Sequence, residues 1–111
     1  MTIVVNIKRL PFHDQFARPG DVYIGRAGHG QKGTFGNPFV VGKVCSRCHR
    51  YHATQESTLP CYEAYLNERA EKDSNFRAEL LNLRNKRLGC FCKPDACHGD
   101  VIVRWLERNP S

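Results

Sequence analysis

Three of the six cysteines and one of the five histidines fall within nine residues, Cys90 to His98, inside the stretch LGCFCKPDACHGD that ends at Asp100. Arg87 to Cys92 is a short apolar run after a basic cluster and reads as a strand that ends in a turn at Lys93-Pro94. Alternation along such a strand puts Leu88, Cys90 and Cys92 on one face and Phe91 on the other. Asp95 has the type and position of an N-cap, because Val101, Ile102, Trp105 and Leu106 follow it at helical spacing. Cys97 and His98 then belong to the first turn of that helix, where free N–H groups and the helix dipole favour a thiolate or a bound anion. A strand end facing a helix N-terminus is a frequent place for ligand chemistry in α/β folds.

Two chemistries suit these residue types. Cys90, Cys92, Cys97 and His98 offer thiolate and imidazole ligands for zinc, and the ion is catalytic when one position is left to water. Alternatively, Cys97 is a nucleophile activated by the helix terminus and by His98. Single buried cysteines are also common as small core residues. The convergence of three cysteines and a histidine on one turn ranks metal first, nucleophile second and plain core last. Asp100 is placed to support a ligand or carry a proton, and equally to act as a first-turn charge on the helix dipole.

A second cluster is Cys45-Ser-Arg-Cys48-His49-Arg-Tyr-His52. A C-x-x-C turn brings two thiolates to one point, which is good zinc chemistry. Cys45, Cys48 and His52 make three ligands of a structural knuckle, with His49 or Cys61 as the fourth. The alternative is one shared site with Cys90, Cys92 or Cys97. A redox role suits the motif less well, since no helix start follows it directly.

The third feature runs from Gly25 to Pro38 and holds five glycines in fourteen residues. Glycine lets backbone N–H groups approach an anion, and Arg26, His29 and Lys32 add positive charge. No G-K-[ST] closes the loop and no helix follows it, so it is neither a Walker A loop nor a dinucleotide fingerprint. Gly25, Arg26, Lys32 and Asn37 are the substrate-binding candidates. Arg26 would hold a phosphate or carboxylate in its planar fork, and Asn37 would fix a base edge or a loop turn. His13 and Asp14 are neighbours in an earlier loop and read as an exposed pair.

The run C-F-C-K-P-D-A-C-H-G-D-V-I-V resembles the closing signature of a phage and bacterial family catalogued as domain of unknown function 4326. An earlier motif of that family resembles Tyr23-Ile24-Gly25-Arg26 followed by Gly36-Asn37-Pro38-Phe39, and here the two stand in the expected order between Tyr23 and Val103. By position the resemblance picks out Gly25, Arg26, Gly36, Asn37, Pro38, Cys90, Cys92, Cys97, His98 and Asp100. The chain departs from the pattern at Phe91, where tryptophan is usual, and in its Cys45 to His52 insertion. The resemblance implies a phage setting and an association with 7-deazaguanine DNA modification. Decarboxylation of a carboxylated base would suit a metal and an arginine there.

The elements that must position these residues read as follows. Thr2 to Ile7 is β-branched and predicts a first strand, central and buried. A loop from Lys8 to Gly20 leads to a second strand around Val22-Tyr23-Ile24, and Phe39-Val40-Val41 predicts a short third. Ser57 or Thr58 caps a helix with Pro60 in its first turn and Leu59, Tyr62, Leu66 and Ala70 inward. Ser74 starts another, with Phe76, Leu80 and Leu83 inward. This order predicts a compact α/β sandwich over residues 1–111 with a short mixed or parallel sheet flanked by helices, plus a zinc-knuckle-like insertion at 45–52. A right-handed strand, helix, helix, strand crossover would bring Arg26, Asn37, the cysteines and His98 around one cleft.

The net charge of +6, from 17 basic and 11 acidic residues, suits polyanionic partners. The absence of a long apolar run and of a secretory start predicts a cytoplasmic protein, in the host cytoplasm if phage-encoded, with reduced thiols and no membrane partner. The leading expectation is a small zinc-dependent enzyme, a lyase or hydrolase acting on a nucleobase or nucleotide. The rival is a zinc-stabilised nucleic-acid-binding module, for which Arg47, Arg50 and Tyr51 interleave basic and aromatic residues. A third is a phage protein that sequesters a nucleotide or protein without turnover.

Overall fold

The computed structural model describes residues 2–10, 20–25, 33–91 and 97–109. Its centre is a parallel sheet of β1 (Ile3–Asn6), β3 (Arg87–Cys90) and β2 (Asp21–Tyr23), in the order β1-β3-β2. Val4 and Val22 both align with Leu88, so the middle strand is the one with least exposed side chains. The N-terminal strand, predicted as central, is an edge strand with Ile3 46 % exposed. β-Branched composition reports a strand but not its neighbours. The order follows from tertiary contacts, among them the side chain of Arg87, which grips Asp21 through Nε and one terminal nitrogen at 2.8 and 2.7 Å.

The predicted strand Phe39-Val40-Val41 is not formed. Asn37 Oδ1 accepts the Phe39 N–H at 2.9 Å, which removes a donor that a ladder would need, and Val40 and Val41 are exposed. Pro38 and Gly42 bracket the segment, and Gly42 has φ +87°, so the chain turns instead of pairing.

Helix α1 (Gln55–Lys72) begins earlier than expected. Thr54 is the N-cap and Ser57 completes a reciprocal capping box, with the Ser57 N–H on Thr54 Oγ1 at 3.1 Å. Pro60 therefore falls beyond the first turn, on an exposed face. The inward face carries Thr58, Cys61, Tyr62, Leu66 and Ala70. Asp73 ends α1 and caps α2 (Ser74–Leu81), whose Phe76 and Leu80 are buried. Helix α3 (His98–Arg108) is strongly amphipathic and buries Val101, Ile102, Trp105 and Leu106. Its N-cap is Cys97 rather than Asp95, with Cys97 Sγ accepting the Gly99 N–H at 3.4 Å. Among the described residues no helix is long and apolar enough to cross a membrane.

Gly99 sets how closely α3 approaches the sheet. A Cβ there would lie 2.7 Å from Val4 Cγ1 and 2.9 Å from Ile24 Cδ1, so the helix start rests on side chains at the strand ends. Gly99→Ala is expected to cost about 1–3 kcal/mol through overpacking. The check is the urea midpoint with an unchanged slope, and an unshifted midpoint would show that the contact is slack.

Candidate metal centre and cleft

Cys45, Cys48, His52 and Cys61 bring their ligand atoms to within 4.8 Å of one another, and this is the metal-type cluster found among the described residues. A tight hairpin builds three of the four positions. Val44 bridges Tyr51 antiparallel, the Cys45 N–H meets the Arg50 carbonyl at 2.8 Å, and the His49 N–H meets the Cys45 carbonyl at 3.0 Å. His49 takes φ +61° at the turn and is exposed, so it is not the fourth donor. That donor is Cys61, on the buried face of α1, with its Sγ 3.7 Å from that of Cys45. His52 is oriented by its own partner: Nδ1 lies 3.1 Å from Ser57 Oγ, which leaves Nε2 3.6 Å from Cys48 Sγ. Arg47 ties the hairpin to Glu68 of α1 and holds that carboxylate below its usual range, with Lys72 adding to the effect.

The electrostatics are those of a site built for thiolate. Burial alone would raise the Cys45 thiol, but the N–H groups of Cys48 and Arg47, with His52 and Cys61, outweigh it and lower the pKa from 9.0 to about 6. Cys61 moves the other way, pushed up to about 12 by burial and by the neighbouring Cys48 and Cys45. Two thiols this close cannot both ionise without a cation between them. Three sulfurs and one imidazole nitrogen fit a divalent ion as a closed tetrahedral set, the pattern of structural rather than catalytic sites. The depressed Cys45 pKa stabilises fully only above about pH 9 and loses that contribution progressively as pH falls through neutrality to about 6. Protons compete with a metal ion for thiolates, so acidification is expected to weaken the hold of this set on a divalent ion, with a chromogenic chelator reporting release. Retention at pH 4 would contradict this assignment of ligands.

The second feature is a cleft of about 320 Å³ at the C-terminal ends of β2 and β3, lined by Tyr23, Gly25, Asn37, Gln55, Cys90, Phe91 and His98. Tyr23 and Phe91 form an aromatic pair with centroids 6.0 Å apart, and Lys8 Nζ lies 5.4 Å from the Phe91 centroid. Phe91 is 52 % exposed, so its ring is available at the cleft. A side chain at Gly25 would run into the Tyr23 ring, so glycine here permits that ring to fold back. Asn37 serves the loop turn: besides holding the Phe39 N–H, its Nδ2 donates to Thr58 Oγ1 at 2.9 Å. Behind the cleft, Tyr62 donates to the Phe35 carbonyl at 2.7 Å and packs edge-on against His98.

The opening motif is only partly assembled in the way its spacing suggests. Cys90 and Cys97 meet, with their Sγ atoms 3.2 Å apart. His98 instead donates from Nε2 to the Ile24 carbonyl at 2.6 Å, and among the described residues Cys90, Cys97 and His98 do not converge as one group of metal donors. Among the described residues the knuckle closes on Cys61 and not on Cys90 or Cys97, and Cys92, the other partner expected of a shared site, lies outside them. Asp100 stands in the first turn of α3, its N–H on the Cys97 carbonyl at 3.0 Å, and it is not among the residues lining the cleft. Cys92, Arg26 and Lys32, with His13, Asp14 and His29, lie outside the described residues. Tyr23, Gln55 and Phe91 were not picked out by spacing as site residues. The one signal for Phe91 is that an aromatic residue is expected at that position of the motif.

Among curated proteins, the chain is similar to an uncharacterized 12.4 kDa protein in the nrdA-td intergenic region of Enterobacteria phage T4, 32 % identical over 77 residues. The match covers 69 % of this chain and 64 % of the phage protein, so it spans just under two thirds of that relative. No solved structure matches. The family model described as a domain of unknown function, DUF4326, matches residues 5–108, which include the cleft, the metal cluster and both motifs. With all but its ends matched, the chain belongs to the DUF4326 family.

Proposed function

We propose that the protein is a small enzyme acting on a nucleobase or nucleotide, with zinc in the Cys45, Cys48, His52, Cys61 centre as a structural staple and the cleft as the place of chemistry. The observation that carries this reading is the lining of the cleft. An aromatic pair, Tyr23 and Phe91, stands beside Cys90, His98 and the Gln55 side chain at the C-terminal ends of parallel strands. A planar base stacks on such rings, and the side-chain amide of Gln55 can read a polar edge. When bound, zinc would hold the knuckle against α1; its four protein ligands leave it no open position for substrate. Cys90 and His98 line the cleft, and Cys97 meets Cys90 from the start of α3. Within this reading, DNA modification in a phage is the setting, and decarboxylation of a carboxylated 7-deazaguanine is the first reaction to try.

The test is titration with free bases, nucleosides and nucleotides, followed by mass spectrometry of the reacted mixture. Phe91→Ala is expected to weaken binding roughly 5- to 150-fold, the worth of one base stacked on an aromatic ring. Phe91→Trp should bind at least as well as the parent. Failure to bind any base or nucleotide would sink the reading, and binding without turnover would leave sequestration as the function.

The outer face of the knuckle favours a second reading, a nucleic-acid-binding module. Tyr51 and Val44 are 62 % and 68 % exposed, with Lys43 and Arg50 beside them. Such a module would lose polynucleotide affinity steeply with added salt, whereas an enzyme for a free base would scarcely bind DNA.

A further inference from the structure

We propose that Cys90 and Cys97 form a reversible dithiol and disulfide pair, a modification site at the floor of the cleft. This goes beyond the reading above and does not depend on it. The two Sγ atoms lie 3.2 Å apart, nearer than the 3.7 Å between Cys45 and Cys61 in the metal centre. Both residues are held by rigid elements. Cys90 is the last residue of the central strand, in register with Asn6, and Cys97 caps α3, whose start is pressed against Val4 and Ile24. The pair is shielded from bulk solvent, with exposures of 1 % and 0 %, which protects it from bulky reagents. Cys90 nevertheless lines the cleft, so a small oxidant has a route to it.

The surroundings favour the chemistry. The Gly99 N–H donates to Cys97 Sγ at 3.4 Å, and a helix N-terminus stabilises a thiolate. The oxidant we name is a small hydroperoxide. Cys90 sulfur attacks one peroxide oxygen, the O–O bond breaks, and the leaving oxygen departs as water with the thiol proton. The sulfur is now a sulfenic acid, oxidised by two electrons. Cys97 sulfur attacks it, the S–S bond forms, the S–O bond breaks, and a second water leaves with the Cys97 proton. Two thiols and one hydrogen peroxide thus become a disulfide and two waters. A dithiol reductant reverses the bond by exchange, taking the two electrons back. Closing the bond draws the sulfurs together by about 1 Å. Phe91, next in the chain to Cys90, is placed to feel that movement.

The test uses the full chain purified with zinc present, treated with one equivalent of hydrogen peroxide, then unfolded in denaturant, alkylated and mapped without reduction. The expected result is a mass lower by about 2 Da, a thiol titre lower by two, a Cys90 to Cys97 cross-link, and recovery with dithiothreitol. Cys92→Ser must still form the same bond. Cys97→Ser must stop at a sulfenic acid on Cys90, trapped by dimedone. The proposal is overturned if Cys90 and Cys97 remain alkylatable after peroxide, or if the bond joins another pair. It also fails if metal analysis shows a second ion that is lost with Cys90→Ser. Should Cys97→Ser not fold, the map of the parent protein decides alone.

Discussion

Cys61→Ser is expected to abolish tight metal binding and to lower the melting temperature by roughly 10 °C or more. Cys61 is the donor that α1 contributes, and the other three ligands lie in the hairpin before it. Its loss leaves three donors and separates the hairpin from the helix that carries the buried stripe. Structural zinc contributes folding energy directly, so losing even about 3 kcal/mol lowers the melting temperature of a chain this size by roughly 10 °C. Metal content and calorimetry on the same samples check both parts. His49→Ala is the control, because His49 is exposed at the turn and should keep the full complement of metal. An ion retained by Cys61→Ser but lost by His49→Ala would reassign the fourth ligand.

Arg87→Ala carries the second large effect. The guanidinium holds Asp21 by two hydrogen bonds, at 2.8 and 2.7 Å, and the two side chains are only 13 % and 5 % exposed. Removing the cation from a pair this buried costs about 3–5 kcal/mol, since the carboxylate keeps its desolvation penalty. Arg87→Lys should recover only part of that, because a point charge cannot reproduce the fork. The double change Asp21→Asn with Arg87→Met should lie well above the single Arg87→Ala in stability, as an isosteric neutral pair has little to lose. Denaturant unfolding of the parent, Asp21→Asn, Arg87→Met and the double variant measures the coupling. A single variant as stable as the parent would show that the pair adds nothing.

The local features were the readable ones. The C-x-x-C turn and His52 announced a knuckle-like cluster that could hold a metal, because that convergence depends on a few consecutive residues. The choice between His49 and Cys61 did not, since it depends on which face of α1 docks and on the backbone turn that points His49 outward. The start of α1 was misplaced for a similar reason. A capping box is sought with Glu or Gln at its third helical position; serine fills it here, so Ser57 looked like the cap when Thr54 holds that role. Strand existence was legible at both ends of the chain, but parallel strands that are distant in sequence carry no mark of their order. Phe39-Val40-Val41 had strand composition, but Asn37 took its first N–H and the chain turns at Gly42. At the opening motif, spacing foretold that Cys90 and Cys97 would meet. It also placed His98 with them as a ligand or activating base, whereas its Nε2 turns to the Ile24 carbonyl, a partner 74 residues away that no local spacing reveals.

The sheet order has a consequence for how the protein is made. β1 and β2 never pair with each other; each pairs with β3 alone. During synthesis from the N-terminus, both edge strands therefore wait without a ladder until residue 87 has been added. The knuckle, α1 and α2 involve near neighbours in the chain and can form in that interval, whereas the sheet must wait for β3, with α3 following it. Folding should thus be slow for a chain this short, with the edges of β1 and β2 open to association until β3 arrives.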